Sequence, residues 1–253
     1  MAAEMSLSKL KQTTLKVSRG HTYTYYTSPA RDSKPTILLF HGWPDTAALF
    51  AGLINNYLIP AGYGEIFGYG IYYYWKLFTA DDGSQIERDN IESVYSVAFG
   101  DPHTWKQNWT TKDGMRNWLT AGKTQPTLPF AQGEHKRDFV DRLSVPGAFE
   151  AANNWYKSMT FGVQHEAEKT IRSNPKVEVP TLFWGGEQDF VCRVEAIGPV
   201  EDAGLIPDLT KMSREGGHWA LLEKPKEFGE DVVGWLGKTF REGVSGGAGG
   251  RGG

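Results

Sequence analysis

Asp189 and His218 are the residues with the clearest chemical use. Each follows a short apolar run. Val179-Pro180-Thr181-Leu182-Phe183-Trp184 leads through Gly185-Gly186-Glu187-Gln188 to Asp189, and a run at about 209–213 leads through Glu215-Gly216-Gly217 to His218. In an open parallel sheet the working residues gather outside the carboxyl ends of the strands, where loops converge and backbone groups are unpaired. A histidine with an ordinary pKa near ~6.5 takes up a proton at neutral pH, which suits His218 to general-base work. A carboxylate in the place of Asp189 holds the imidazole tautomer and stabilises the imidazolium. A third run, Thr36-Ile37-Leu38-Leu39-Phe40, ends in His41-Gly42-Trp43-Pro44-Asp45. Of the other histidines, His21 falls in a strand-like stretch and His103, His135 and His165 in a helical one beside polar neighbours, so none is given a catalytic role.

The elements that must carry these residues are legible in outline. Residues 13–27 alternate β-branched or aromatic residues with polar ones around Arg19-Gly20, the pattern of a β-hairpin. The run at 36–40 is apolar on consecutive positions, as a central parallel strand requires, and a helix follows from about Thr46 to 58, capped by Thr46 or Asp45. Aromatic residues then crowd a stretch without strand-like alternation, among them Tyr72, Tyr73, Tyr74, Trp75, Phe78, Tyr95, Trp105 and Trp109. We therefore expect a helical module at 65–172, set between an N-terminal half of an α/β core at 1–64 and a C-terminal half at 173–241. A helix at about 226–241 closes the core. Residues 243–253 hold 7 of the 30 glycines and predict a disordered tail from 242. The fold class is α/β, a sheet with an all-helical insertion.

Composition narrows the function. The chain has 253 residues, 40% hydrophobic and 23% charged, an ordinary globular mixture that excludes a disordered or collagen-like body. With 27 Lys+Arg against 30 Asp+Glu, the net charge of −3 and the lack of a basic tract predict no nucleic-acid or membrane partner; Arg251 alone does not make the tail an RNA arm. The single cysteine, Cys192, excludes an internal disulfide and a cysteine-based metal site, and reads as a packing residue. No cofactor or metal is expected. Glu4 stands where a signal peptide would be basic, and no apolar run approaches the ~18 residues of a membrane span, so the expectation is a soluble, cytoplasmic protein.

Several motifs taken together resemble the epoxide hydrolases of the α/β-hydrolase fold. They are the His41-Gly42-Trp43-Pro44-Asp45 turn, Asn154-Trp155-Tyr156-Lys157, Trp184-Gly185-Gly186-Glu187-Gln188-Asp189, and Gly216-Gly217-His218-Trp219-Ala220-Leu221-Leu222-Glu223-Lys224-Pro225. A carboxylate followed later by a histidine is also the order of those enzymes. The resemblance implies ring opening of an epoxide to a vicinal diol through a covalent ester on an aspartate. Two cap tyrosines donate hydrogen bonds to the epoxide oxygen, and a histidine-activated water hydrolyses the ester. On that reading His218 is the base, Asp189 the orienting acid, Tyr156 one phenol donor and Tyr74 the other, with Tyr72 and Tyr73 as alternatives to Tyr74. The Trp43 backbone N–H supplies an oxyanion contact, in a turn built with His41, Gly42 and Pro44. The aromatic cap forms a pocket for a lipophilic small molecule.

The chain departs from the family at one place. Tyr63-Gly64 runs directly into Glu65-Ile66-Phe67-Gly68-Tyr69, where the family has the nucleophile strand with its Gly-His-Asp-x-Gly elbow and the strands and helices around it. That block amounts to roughly 70 residues at typical element lengths. The chain contains no Gly-x-Asp-x-Gly and no Asp after a His; Asp45 and Glu65 are not on strand-to-helix elbows. The expectation is a truncated α/β-hydrolase sheet without its central strands, a helical cap, and no covalent catalysis. Two other readings stay open. One is a non-catalytic binder of lipophilic molecules. The other is a different carboxylate-nucleophile hydrolase such as a haloalkane dehalogenase, against which Tyr156 in its Asn-Trp-Tyr setting argues.

Overall fold

The computed structural model describes residues 11–16, 22–27, 71–169 and 176–245. The chain divides into two units, residues 1–42 and 43–253. In the first, β1 (Lys11–Lys16) and β2 (Thr22–Thr27) form the antiparallel hairpin that the alternation predicts, with Lys11 opposite Thr27 and Lys16 opposite Thr22. The predicted strand at 36–40, the helix after it, the turn of His41, Gly42, Trp43 and Pro44, and Asp45 and Glu65 lie outside the described residues.

The second unit opens with helices: α1 (Trp75–Phe78), α2 (Gly83–Asp89), α3 (Ile91–Phe99), α4 (Trp105–Asn108), α5 (Gly114–Thr120), α6 (Glu134–Leu143), α7 (Ala148–Thr160) and α8 (Val163–Glu168). The aromatic density of the sequence is what fills their shared core: Tyr74, Trp75, Phe78, Tyr95, Trp105, Trp109 and Tyr156 are all buried. α3 is covered all round from Ser93 to Phe99, which accounts for a helix with little polar surface of its own.

After the helices come two parallel strands, β3 (Thr181–Gly186) and β4 (Leu209–Arg214), paired from Thr181 opposite Leu209 to Gly186 opposite Arg214. A parallel pair needs a crossover, and α9 (Gly198–Asp202) lies within it. β3 starts two residues later than the apolar run suggests, because Pro180 has no N–H to give the ladder. It is half-buried from Thr181 to Gly185, less covered than a central strand of a large sheet. α10 (Ala220–Glu223) and α11 (Pro225–Ser245) complete the unit. α11 runs four residues past its expected end at 241, so residues 242–245 are helical and not part of a disordered tail; Gly243 does not stop the helix. No helix among the described residues is long and apolar enough to cross a membrane.

The helical and strand-bearing parts share one core. Val191, just beyond β3, belongs to the aromatic cluster, and Phe190 and Trp219 pack against it. The Trp219 indole N–H donates to the Ala98 carbonyl at 2.8 Å, satisfying one of the last-turn acceptors that α3 leaves unpaired. Its ring lies 5.0 Å from that of Phe99. Trp219→Phe keeps most of the ring contact and removes this bond, and should lower stability by about 1 kcal/mol. Urea denaturation checks this; an unchanged midpoint would show that the bond contributes nothing.

Candidate active site

Close backbone approach between the two strand ends assembles the site. The Glu187 N–H donates to the Arg214 carbonyl at 2.9 Å and the Gln188 N–H to the Gly216 carbonyl at 2.8 Å, which ties the loop after β3 to the loop after β4. Glycine is required at Gly186, where a Cβ would fall 2.2 Å from the Gly217 carbonyl oxygen and 2.6 Å from that of Gly216. Gly216 itself has φ 149°, where side chains are poorly tolerated. The Gly-rich stretches before Asp189 and His218 are thus the reason the two side chains can meet.

They do meet. His218 Nδ1 lies 2.7 Å from Asp189 Oδ2. Asp189 Oδ1 accepts the backbone N–H groups of Val191 at 2.9 Å and Cys192 at 2.8 Å, so three partners fix the carboxylate. The Asp189 side chain is 6% exposed and that of His218 15%. Burial alone would raise the Asp189 pKa, but the His218 charge and the hydrogen bonds to His218, Cys192 and Val191 hold it below the usual aspartate value. Burial works the other way on His218, where it would favour the neutral ring, but the charge and hydrogen bond of Asp189 win and hold the pKa above the ordinary histidine value. With Nδ1 bound to the carboxylate, Nε2 is the nitrogen left for a reacting proton.

Aromatic rings fix the imidazole plane. Trp105 stacks on His218 at 5.0 Å and 30°, and Trp219 meets it edge-on at 4.9 Å and 88°. Trp105 in turn stacks on Trp109 at 4.3 Å, and Trp109 packs against Tyr74 at 4.9 Å. Tyr74 and Tyr156 lie with centroids 5.8 Å apart, and Trp75 and Phe78 also contact Tyr156. Both phenols are almost fully buried, Tyr74 at 3% and Tyr156 at 1%. Burial raises the Tyr74 pKa far above the ordinary phenol value, with the nearby Asp189 charge adding to it, so this group stays protonated and is a donor at any physiological pH. Burial raises Tyr72 in the same direction.

Asp189 and His218 open onto a cleft of about 240 Å³, walled by Leu182, Phe183, Ala220 and Leu221. Neither Tyr74 nor Tyr156 lines it. The structure therefore joins the acid to the base and one tyrosine to the other, and links the two pairs through Trp105 and Trp109. Cys192 lines the cleft as well. Among the described residues no three His, Cys, Asp or Glu side chains converge on a metal-sized space.

Two groups at the site are given no role by the sequence. Trp105, in Thr104-Trp105-Lys106, reads as one aromatic among many until its ring is found on His218. Glu223 accepts the Gly217 N–H at 3.0 Å, and burial raises its pKa. One Gly-x-Ser-x-Gly string is present, Gly243-Val244-Ser245-Gly246-Gly247. Ser245 ends the helix α11, whereas a nucleophile elbow leaves a strand, so the string is not an elbow.

No protein-family model matches the chain. Two solved structures with similar backbones are potato (Solanum tuberosum) epoxide hydrolase I, at 21% identity, and the laboratory-evolved variant R-C1B1D33 of the potato enzyme, at 20%. Each comparison has a TM-score of 0.47 and covers 70% of this chain and 56% of the potato chain. The chain thus spans little more than half the length of the solved epoxide hydrolases it is similar to.

Proposed function

We propose that this chain is an epoxide-hydrolase-like protein that keeps the acid–base pair and the phenol donors of a covalent hydrolase but lacks the nucleophile. The fold on this reading is a truncated α/β-hydrolase sheet, its halves at 1–64 and 173–241 flanking a helical cap at 65–172. The observation that carries the reading is the 2.7 Å contact between His218 Nδ1 and Asp189 Oδ2, each just beyond a parallel strand. His218 is the base, Asp189 its orienting partner, and Tyr74 and Tyr156 are the donors for an oxygen leaving group. Phenols in an apolar setting stabilise a developing alkoxide without having to ionise. On the family resemblance, the oxyanion contact falls to the Trp43 backbone N–H, in the sequence motif of His41, Gly42 and Pro44.

Without a nucleophile the covalent route is closed, and loss of such a group costs about six orders of magnitude in rate. The pure protein should show no ring opening of styrene oxide above the uncatalysed rate, followed as diol formation by chromatography. Binding of an amide or urea without turnover, followed by calorimetry, would instead mark the alternative role, a non-catalytic binder of lipophilic molecules. Diol formation at a rate comparable with the potato enzyme would overturn the reading. The partner on either reading is a lipophilic small molecule, and no cofactor takes part.

A further inference from the structure

We infer that the Asp189–His218 pair is a working general base for water, and that the cleft beside it hydrolyses small, neutral, activated esters directly, with no covalent intermediate. The pair is complete as it stands. Asp189 fixes the tautomer with a 2.7 Å contact to Nδ1, Trp105 and Trp219 hold the ring from its face and its edge, and Nε2 is left to take a proton. The ring borders an open cleft, and the tyrosines that would serve an epoxide do not. Among the described residues, the cleft offers apolar wall from Leu182, Phe183, Ala220 and Leu221 next to the His218 base, which suits a ligand with an apolar body and a single electrophilic carbon. Its volume of about 240 Å³ is below the range of drug-sized sites, which begins near ~300 Å³, and admits a one-ring ester with a short acyl group.

In the step itself, the oxygen of water bonds to the acyl carbon while Nε2 of His218 accepts the proton of water. The tetrahedral adduct then expels the phenolate, breaking the acyl C–O bond, and the imidazolium returns its proton to solvent. The products are the carboxylic acid and the phenol in their solution protonation states, with no oxidant or co-reactant. The inference shares His218 and Asp189 with the reading above but uses neither a nucleophile nor the phenols, so epoxide turnover and ester turnover are independent results.

The test is p-nitrophenyl acetate hydrolysis followed by phenolate absorbance, with the whole chain and three variants. A positioned base is worth about 10²-fold or more, so His218→Gln should fall by about that factor to the level set by the remaining histidines. Asp189→Asn keeps an acceptor for the Val191 and Cys192 N–H groups but removes the charge that raises the His218 pKa. Its rate–pH profile should therefore move to lower pH relative to the parent, and a structural role alone would not move it. Leu221→Trp, at an exposed wall position, should raise KM severalfold with little change in kcat. The parent reaction should be slower in deuterium oxide, as proton transfer from water requires. A parent rate no higher than that of a folded His218→Gln chain, an unmoved profile in Asp189→Asn, no solvent isotope effect, or indifference to Leu221→Trp would each overturn the inference.

Discussion

Replacing Asp189 with alanine should lower the stability of the chain by about 3 kcal/mol at pH 7, because it removes one partner of a buried pair and the acceptor of two backbone N–H groups. The same substitution should carry the His218 titration from above 6.5 to below it. Both follow from the balance at the site. In the parent, the Asp189 charge outweighs the burial that would otherwise favour neutral imidazole; in the variant, burial acts unopposed. The sign of the pH dependence reverses as well. His218, with its folded pKa raised, contributes stability that is fully present below the unfolded value of 6.5 and lost as pH rises through the folded value. Asp189, with its folded pKa lowered, contributes stability present above the unfolded value of 3.8 and lost as pH falls through the folded value. The pair is therefore at full strength between about pH 4 and 6.5. In Asp189→Ala that window becomes a deficit, since folding must then strip a proton from His218. Proton NMR of the histidine ring across pH 4–9, with urea midpoints at pH 5 and 8, measures both effects. A His218 midpoint that stayed above 6.5 in the folded variant would show that Asp189 does not set it. Asp189→Asn should keep most of the stability, because an amide oxygen still accepts the Val191 and Cys192 N–H groups, and still lose the pKa shift.

How far the site could be seen in the sequence follows from what each feature depends on. Asp189 and His218 stand at strand ends marked by apolar runs and glycine pairs, which are local signals, and these two residues fall together at 2.7 Å. The hairpin was legible for the same reason, since alternation at 13–27 needs nothing from the rest of the chain. Element ends were less so. Pro180 and Gly243 pull in opposite directions from the simple rules, one delaying a strand and the other failing to end a helix. Trp105 was out of reach, because its stacking on His218 joins residues 113 positions apart and rests on packing that periodicity does not report. So was the open cleft, which depends on how much of β3 the surrounding chain leaves uncovered.

Glu87 is a carboxyl group whose surroundings set its protonation state, and it supports the second large effect. It stands among polar and charged neighbours in Gly83-Ser84-Gln85-Ile86-Glu87-Arg88-Asp89, yet it is 2% exposed. Asn153 on α7 donates its amide to Glu87 Oε2 at 2.5 Å and to Ser84 Oγ at 3.2 Å, so a small buried polar cluster joins α2 to α7. Beside it, Arg88 pairs with Glu150. Burial pushes the Glu87 pKa up to about 8; the Glu150 charge adds to the rise, and the Asn153 hydrogen bond and the Lys157 charge oppose it. The folded chain therefore holds a proton that the unfolded chain releases above 4.5. Stability from this group is full below 4.5 and declines as pH rises to about 8, by a few kcal/mol in all. Glu87→Gln is close in shape, keeps an oxygen for Asn153 and does not titrate. It should match the parent near pH 4.5, exceed it by about 2 kcal/mol or more at pH 8.5, and show a flatter stability–pH curve between them. The His218 contribution also declines with pH but is common to both chains, so the difference between their urea-derived stabilities isolates Glu87. Parallel curves for the two chains would mean that Glu87 is ionised in the folded state at neutral pH, and that the contact between α2 and α7 is made by a carboxylate rather than a carboxylic acid.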